Sequence, residues 1–147
     1  MKVKLICDQD KYEEYKKILT SKGFEIDDNA TIVFEDLERT DHFIGKIDNT
    51  LSAIKYDDII YIESYGHNVY LVTSDGRYQI KERLYEAFEK VEKDDFIKIS
   101  ISVIINPKHI KKIKATYNRK FHLTMKNGDV VDVTRSYYND FKDKLGI

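Results

Sequence analysis

Four histidines (His42, His67, His109, His122) and a single cysteine, Cys7, are the side chains of this 147-residue chain best suited to ligate a metal. Zinc sites bring such ligands in close pairs. No two of these residues stand within five positions of each other, so no metal is expected. Glu63 is a carboxylate inside the apolar stretch Ile59–Ser64, where general acid or base work would need a titratable partner and a pocket. No partner is evident, and Glu63 is expected to orient a neighbouring group instead. The chain also lacks a glycine-rich phosphate loop, a nucleophile elbow and a Ser/Cys–His arrangement. It is expected to be a non-enzyme with no cofactor.

What remains is hydrogen-bond donor chemistry. Arg135 stands at the end of a strand-like run (Val131, Val133), where its planar fork could grip a bidentate acceptor. His67 and Asn68 follow Gly66 in a short loop. Lys98, Ser100 and Ser102 recur at every second position, so a strand would put them on one face and Ile97, Ile99 and Ile101 on the other. Lys108, Lys111, Lys112, Lys114, Arg119 and Lys120 form the densest basic run, with Tyr117-Asn118 inside it. Each has a plain alternative: a solvated arginine, ordinary turn composition, the wet side of a sheet, a solvated charged face. If the alternation holds through Ile101, that residue is core; if the chain turns there, it is exposed.

Bulk charge does not decide among these. The 25 basic and 26 acidic residues nearly cancel. Residues 1–47 hold 8 Lys+Arg against 11 Asp+Glu, whereas residues 48–147 hold 17 against 15. A protein gripping a polyanion by charge alone would show a larger excess. No apolar run approaches the roughly 18–20 residues needed to span a bilayer, and a lone cysteine suits a reducing compartment, so the protein is expected in the cytoplasm.

The elements that must position these donors fall into two groups. Residues 1–44 read as a small β-α-β unit. Lys2–Cys7 alternates like a half-buried strand, and a helix capped by Asp8 or Asp10 runs to about Ser21, with Tyr12, Tyr15, Ile18 and Leu19 on one face. Gly23 supplies the stop, Thr31–Phe34 forms a second strand, and Glu35–Asp41 is surface or linker. Residues 45–147 read as mostly β. Ile59–Ser64, Asn68–Ser74 and Arg77–Ile80 are strands, the last two joined at Asp75-Gly76. A helix spans about Lys81–Lys93, with Leu84, Phe88 and Val91 in helical spacing. Strands follow at Phe96–Ile105, His109–Thr116, Lys120–Met125 and Asp129–Val133, with Asn127-Gly128 as a strong hairpin turn. A closing helix starts near Ser136, packs through Tyr137 or Tyr138, Phe141 and Leu145, and stops at Gly146.

Three stretches in this second group resemble the LytTR family of DNA-binding domains. They are Asp57-Asp58-Ile59-Ile60-Tyr61-Ile62-Glu63-Ser64 with Gly66-His67-Asn68-Val69-Tyr70-Leu71 and Asp75-Gly76-Arg77; Phe96 to Asn106, then Ile110; and Leu123, Asn127-Gly128 and Val133-Thr134-Arg135-Ser136-Tyr137. Their order and spacing match the family from about residue 48 to the C-terminus. The resemblance implies an α+β, mostly β domain, an elongated arrangement of small sheets with minor helices whose loops enter successive major grooves. It implies a sequence-specific transcription regulator of bacterial type that binds double-stranded DNA at repeated half-sites, as a homodimer, with no membrane. Carried over by position, the base-reading residues are His67 and Asn68, Lys98 to Ser102 (Lys98, Ser100, Ile101, Ser102), and Arg135; Thr134, where serine is common, keeps a DNA-contacting hydroxyl, and Lys120 belongs to the basic rim.

One departure matters. The family usually has a polar or basic residue just before the serine of the second stretch, and this chain has Ile101. An isoleucine can touch a thymine methyl but donates nothing. Specificity is then shifted toward A·T contacts, or binding is weakened, or the site serves another purpose. The alternative function is a protein–protein module that pairs with another regulator; a small-molecule sensor is a third. The N-terminal Leu5-Ile6-Cys7-Asp8-Gln9-Asp10 is similar to the opening strand and acidic cluster of a response-regulator receiver. About 47 residues are too few for that fold, and no lysine-bearing strand completes a phosphorylation site. A role in dimerisation or regulation is expected for residues 1–44, including competition of their acidic charge for the basic face.

Overall fold

The computed structural model describes residues 1–147, which divide into two compact units, Met1–Asp41 and His42–Ile147. In the first, β1 (Lys2–Ile6), α1 (Gln9–Ser21), β2 (Glu25–Ile26) and β3 (Val33–Glu35) form a parallel sheet in the order β2-β1-β3. Val3, Leu5, Cys7 and Leu19 are its buried core, with Tyr12 and Tyr15 packed against them. Ile18, expected on the same face, is exposed. The stop at Gly23 (φ 89°) is a paired cap. The Gly23 N–H donates to Thr20 O and the Phe24 N–H to Leu19 O, closing two orphan carbonyls as a left-handed terminus does.

The expected side-chain cap at the other end of α1 is corrected. Asp8 occupies the N-cap position, but its side chain makes no capping bond. Its carboxylate instead accepts the Thr40 N–H at 3.0 and 3.2 Å, tying Glu35–Asp41 back onto the unit. Two donors of the acidic loop thus outbid the helix for this side chain, since the Thr40 hydroxyl bonds it as well, at 3.3 Å.

The second unit holds a seven-stranded antiparallel sheet and a three-stranded one. Along the chain come β4 (His42–Ile47), β5 (Thr50–Lys55), β6 (Ile59–Tyr65), β7 (Asn68–Thr73), β8 (Arg77–Ile80), α2 (Leu84–Val91), β9 (Ile97–Ser100), β10 (Val103–Ile105), β11 (Ile110–Ala115), β12 (Phe121–Met125), β13 (Val130–Val133) and α3 (Tyr138–Leu145). The large sheet runs β5-β4-β8-β7-β6-β10-β9 and the small one β11-β12-β13. One face of the large sheet packs Ile59, Ile62, Leu71 and Ile104 against Ala87 and Val91 of α2. The other face packs Ile60, Val72, Ile97, Ile99 and Ile105 against Phe121, Leu123 and Met125 of the small sheet and Phe141 of α3. A sheet buried on both faces needs near-continuous apolar runs, and Ile59–Ile62 is such a run. Each fully buried aliphatic side chain contributes roughly 1.5–3 kcal/mol.

Two further expectations are corrected. The helix expected over Lys81–Lys93 is α2 followed by a single 3-10 turn, Glu92–Asp94. It starts later because the Arg83 N–H donates to Glu86 Oε1 at 3.1 Å, fixing the first turn there. The strand expected over Phe96–Ile105 is a hairpin, β9 and β10, folded at Ile101-Ser102 with Ser100 opposite Val103. Neither turn residue takes a positive φ, and a bulge between Val103 and Ile104 accommodates the twist.

Candidate nucleic-acid interface

The hairpin decides where the second group of candidate residues goes. Ile97 and Ile99 are buried core, as alternation demands, but the shared polar face expected for Lys98, Ser100 and Ser102 does not form. Ser100 is only 7% exposed, and its hydroxyl accepts the Ser102 N–H at 3.3 Å. Lys98 is half-buried, Ser102 lies in the turn, and Ile101 stands at its tip, 82% exposed. The open question about Ile101 is therefore answered by the turn: the side chain is in solvent.

Backbone bonds bring three distant stretches together at this turn. The Ser64 N–H donates to Ser102 O at 2.9 Å, which sets the end of β6 and its loop beside Ile101. The Thr134 N–H donates to Ile99 O at 3.0 Å, with its hydroxyl 3.5 Å from the same oxygen, and this sets the end of β13 on the other flank. The β9–β10 hairpin is thus a wedge between Tyr65–Asn68 and Thr134–Arg135. In the first flank His67 is exposed. Gln79 Nε2 donates to Asn68 Oδ1 at 3.1 Å, which leaves the Asn68 NH2 free to donate outward.

In the second flank Arg135 is exposed and opens a 3-10 turn, Arg135–Tyr137, ahead of α3. Its Nε donates to Asn118 O at 3.4 Å, so the β11–β12 loop steadies the guanidinium while both terminal nitrogens remain available. That loop carries Tyr117, fully exposed, and Lys120, exposed. Arg119 takes a positive φ of 56°. Its guanidinium reaches Asn139 at 3.3 Å and lies 5.5 Å from the Tyr138 ring. Lys111, Lys112 and Lys114 are exposed along β11. Lys108 is drawn elsewhere, into a 3.1 Å ion pair with Asp57.

Two features escaped the sequence reading. Glu63 does orient a neighbour, and that neighbour is Arg77: they pair at 2.9 Å, with the guanidinium 3.9 Å over the Tyr70 ring. The Asp75-Gly76-Arg77 turn was legible, but not the cross-strand stack, because β7–β8 register sets it. The second is the Tyr61 hydroxyl, which donates to Asp129 at 3.0 Å and joins the large sheet to the β12–β13 turn. Burial first, then this bond, pushes the Tyr61 phenol well above its ordinary range, so it stays a donor.

The arrangement offers hydrogen-bond donors and one apolar tip on a common rim, with no convergent nucleophile or acid–base pair among them. A family model described as the LytTr DNA-binding domain matches residues 49–146. The chain belongs to the LytTR DNA-binding domain family. Its mostly β architecture with few helices is the LytTR fold. It is similar (TM-score 0.69, 28% identity) to the LytTr DNA-binding domain of a protein described as a methyl-accepting/DNA response regulator from Bacillus cereus, covering 74% of this chain and 99% of that one. It is also 29% identical to uncharacterized HTH-type transcriptional regulators of Staphylococcus aureus strains NCTC 8325 and N315, covering 100% of this chain and 99% of each relative. Those alignments include the Met1–Asp41 unit. This LytTR chain has no helix-turn-helix in its second unit, where five strands separate α2 from α3. No helix is long and apolar enough to cross a membrane.

Proposed function

We propose that this LytTR protein is a sequence-specific transcription regulator that reads major-groove base edges with the rim around the β9–β10 turn. The observation that carries the reading is the pair of backbone bonds, Ser64 to Ser102 and Thr134 to Ile99, which gather donors from three stretches of chain onto one rim. Arg135, steadied at Nε, is suited to bidentate pairing with guanine O6 and N7. His67 and the Asn68 amide supply donors on the opposite flank. Ile101 sits between them and packs on a thymine methyl, shifting preference toward A·T at that position. Arg119, Lys120 and the β11 lysines grip phosphates and fix register without reading sequence. The protein acts in the cytoplasm, two copies occupying repeated half-sites, and carries no enzymatic activity.

Binding-site selection from a random duplex library tests this. The expected result is a motif of two half-sites about 10.5 bp, or a small multiple of that, apart, with G at the Arg135 position and A·T at the Ile101 position. Failure of folded protein to enrich any motif contradicts the reading. Ile101 favours one second reading: an exposed apolar tip also suits pairing with another regulator, in which case Ile101→Asp abolishes that pairing and DNA enrichment is absent.

A further inference from the structure

Strand β3 has an open edge lined by exposed apolar side chains. It pairs with β1 on one side only, at the border of the β2-β1-β3 sheet. Exposed sheet edges invite pairing with another chain, and proteins blunt them with short strands, lysines or covering elements. β2 is two residues long. The edge strand β11 carries Lys111, Lys112 and Lys114. β9 is covered where Thr134 bonds Ile99. β3 is itself only three residues long, but with the residue before it, Ile32-Val33-Phe34-Glu35, it carries no lysine, and Ile32, Val33 and Phe34 are 48%, 49% and 46% exposed.

The backbone shows which groups are on offer. Ile32 O accepts the Lys4 N–H at 2.8 Å and the Asp36 N–H donates to Ile6 O at 2.9 Å, so these residues face β1. Alternation along the strand turns the N–H and C=O of Val33 and Glu35 to the open side. Charge at the strand does not oppose a neighbour, because Glu35 and Asp36 are engaged internally. Glu35 pairs with Arg39 at 3.2 Å, and Asp36 accepts the Tyr15 hydroxyl at 2.9 Å and lies 3.7 Å from the Lys11 ammonium.

We propose that β3 is the dimer strand of this protein: two copies pair their β3 strands antiparallel about a two-fold axis, joining two three-stranded sheets into one. With the axis at Phe34, Val33 faces Glu35 of the partner subunit. Both are outward-bonding residues, so each pair exchanges two N–H···O bonds. Phe34 meets Phe34 of the partner subunit at the close, non-hydrogen-bonded position. Ile32 faces Asp36 of the partner subunit, so no carboxylate faces another, and a self-complementary edge of this kind closes as a symmetric dimer. A second copy, rather than a different partner, is the occupant because the strand satisfies its own pattern of donors, acceptors and charge. The consequence for two half-sites rests on the DNA-binding reading; the dimer itself does not.

Sedimentation equilibrium of the full chain without DNA tests the dimer. The expected result is a monomer–dimer equilibrium for the wild type. Val33→Pro removes an N–H that β1 does not use, and it should weaken association at least about tenfold with an unchanged far-UV spectrum. Should proline unfold the unit, Val33→Lys blunts the edge with the backbone intact and should have the same effect. Ala53→Lys, on β5 at an edge of the seven-stranded sheet, should associate like wild type. A wild type that stays monomeric at about 100 μM, well above a micromolar dissociation constant, overturns the proposal. Two other results overturn it as well: edge variants of β3 that dimerise normally, or dissociation caused by Ala53→Lys. Because no DNA is present, failure here is distinct from failure of the DNA-binding reading.

Discussion

The β9–β10 turn and the β11–β12 loop both stand at the rim of the second unit, yet they are built on opposite principles. The turn is held by its own Ser100 hydroxyl, by Ser64 and, through Ile99, by Thr134, and it presents a fixed but donor-free tip, Ile101. The loop is rich in donors and closed by Thr116 on Lys120 and by Arg119 on Asn139, with Tyr117 fully exposed and Arg135 leaning on Asn118 through one 3.4 Å bond. Shape is concentrated in one region and charge in the other. In a DNA reader, phosphate contacts set affinity and position whereas base contacts set sequence. On this account the two tasks are divided between neighbouring segments, with Arg135 bridging them.

Removing the platform should have the largest effect. Ile99→Ala deletes a fully buried side chain beneath the turn, and denaturant unfolding should show a loss of about 2–5 kcal/mol. If the turn were an independent loop, the loss would be far smaller. Next comes Arg135→Ala, which should weaken binding to the selected site by about 1–3 kcal/mol while the unfolding midpoint hardly moves. An equal loss on selected and random duplexes would reassign Arg135 to the phosphate-gripping group. Smallest in stability is Ile101→Lys, expected within about 0.5 kcal/mol of wild type because the site is solvent. It should blur the division between the regions, raising affinity for random DNA and steepening the salt slope by about one unit. Unfolding by this change would mean that Ile101 is packed.

Much of this architecture was legible in the residues, and the failures have physical causes. Alternation and turn chemistry located β6, β7, β8, β12 and β13, because Asp75-Gly76 and Asn127-Gly128 announce their hairpins. The β9–β10 hairpin was hidden because its turn, Ile101-Ser102, uses no glycine, asparagine or positive φ and relies on a serine hydroxyl and a bulge instead. β4 and β5 went unassigned because their turn rests on Asp48 at φ 53° and β5 buries only Ile54, leaving a weak apolar pattern. At the rim, His67, Asn68, Thr134 and Arg135 could be named from the resemblance, but Ser100 is buried and Asn118 was not foreseen as a support. Both depend on register between segments far apart in sequence, which periodicity within a segment does not encode.

The central claim is that this rim reads sequence rather than charge alone. Fluorescence anisotropy at two salt concentrations, with the protein's own upstream region and a scrambled duplex of equal length, tests it most directly. The account predicts a preference for the upstream fragment that persists at the higher salt, where phosphate-led binding to the scrambled duplex falls away steeply. Equal binding to both duplexes with equal salt slopes, or no binding by the folded protein at either salt, would contradict it.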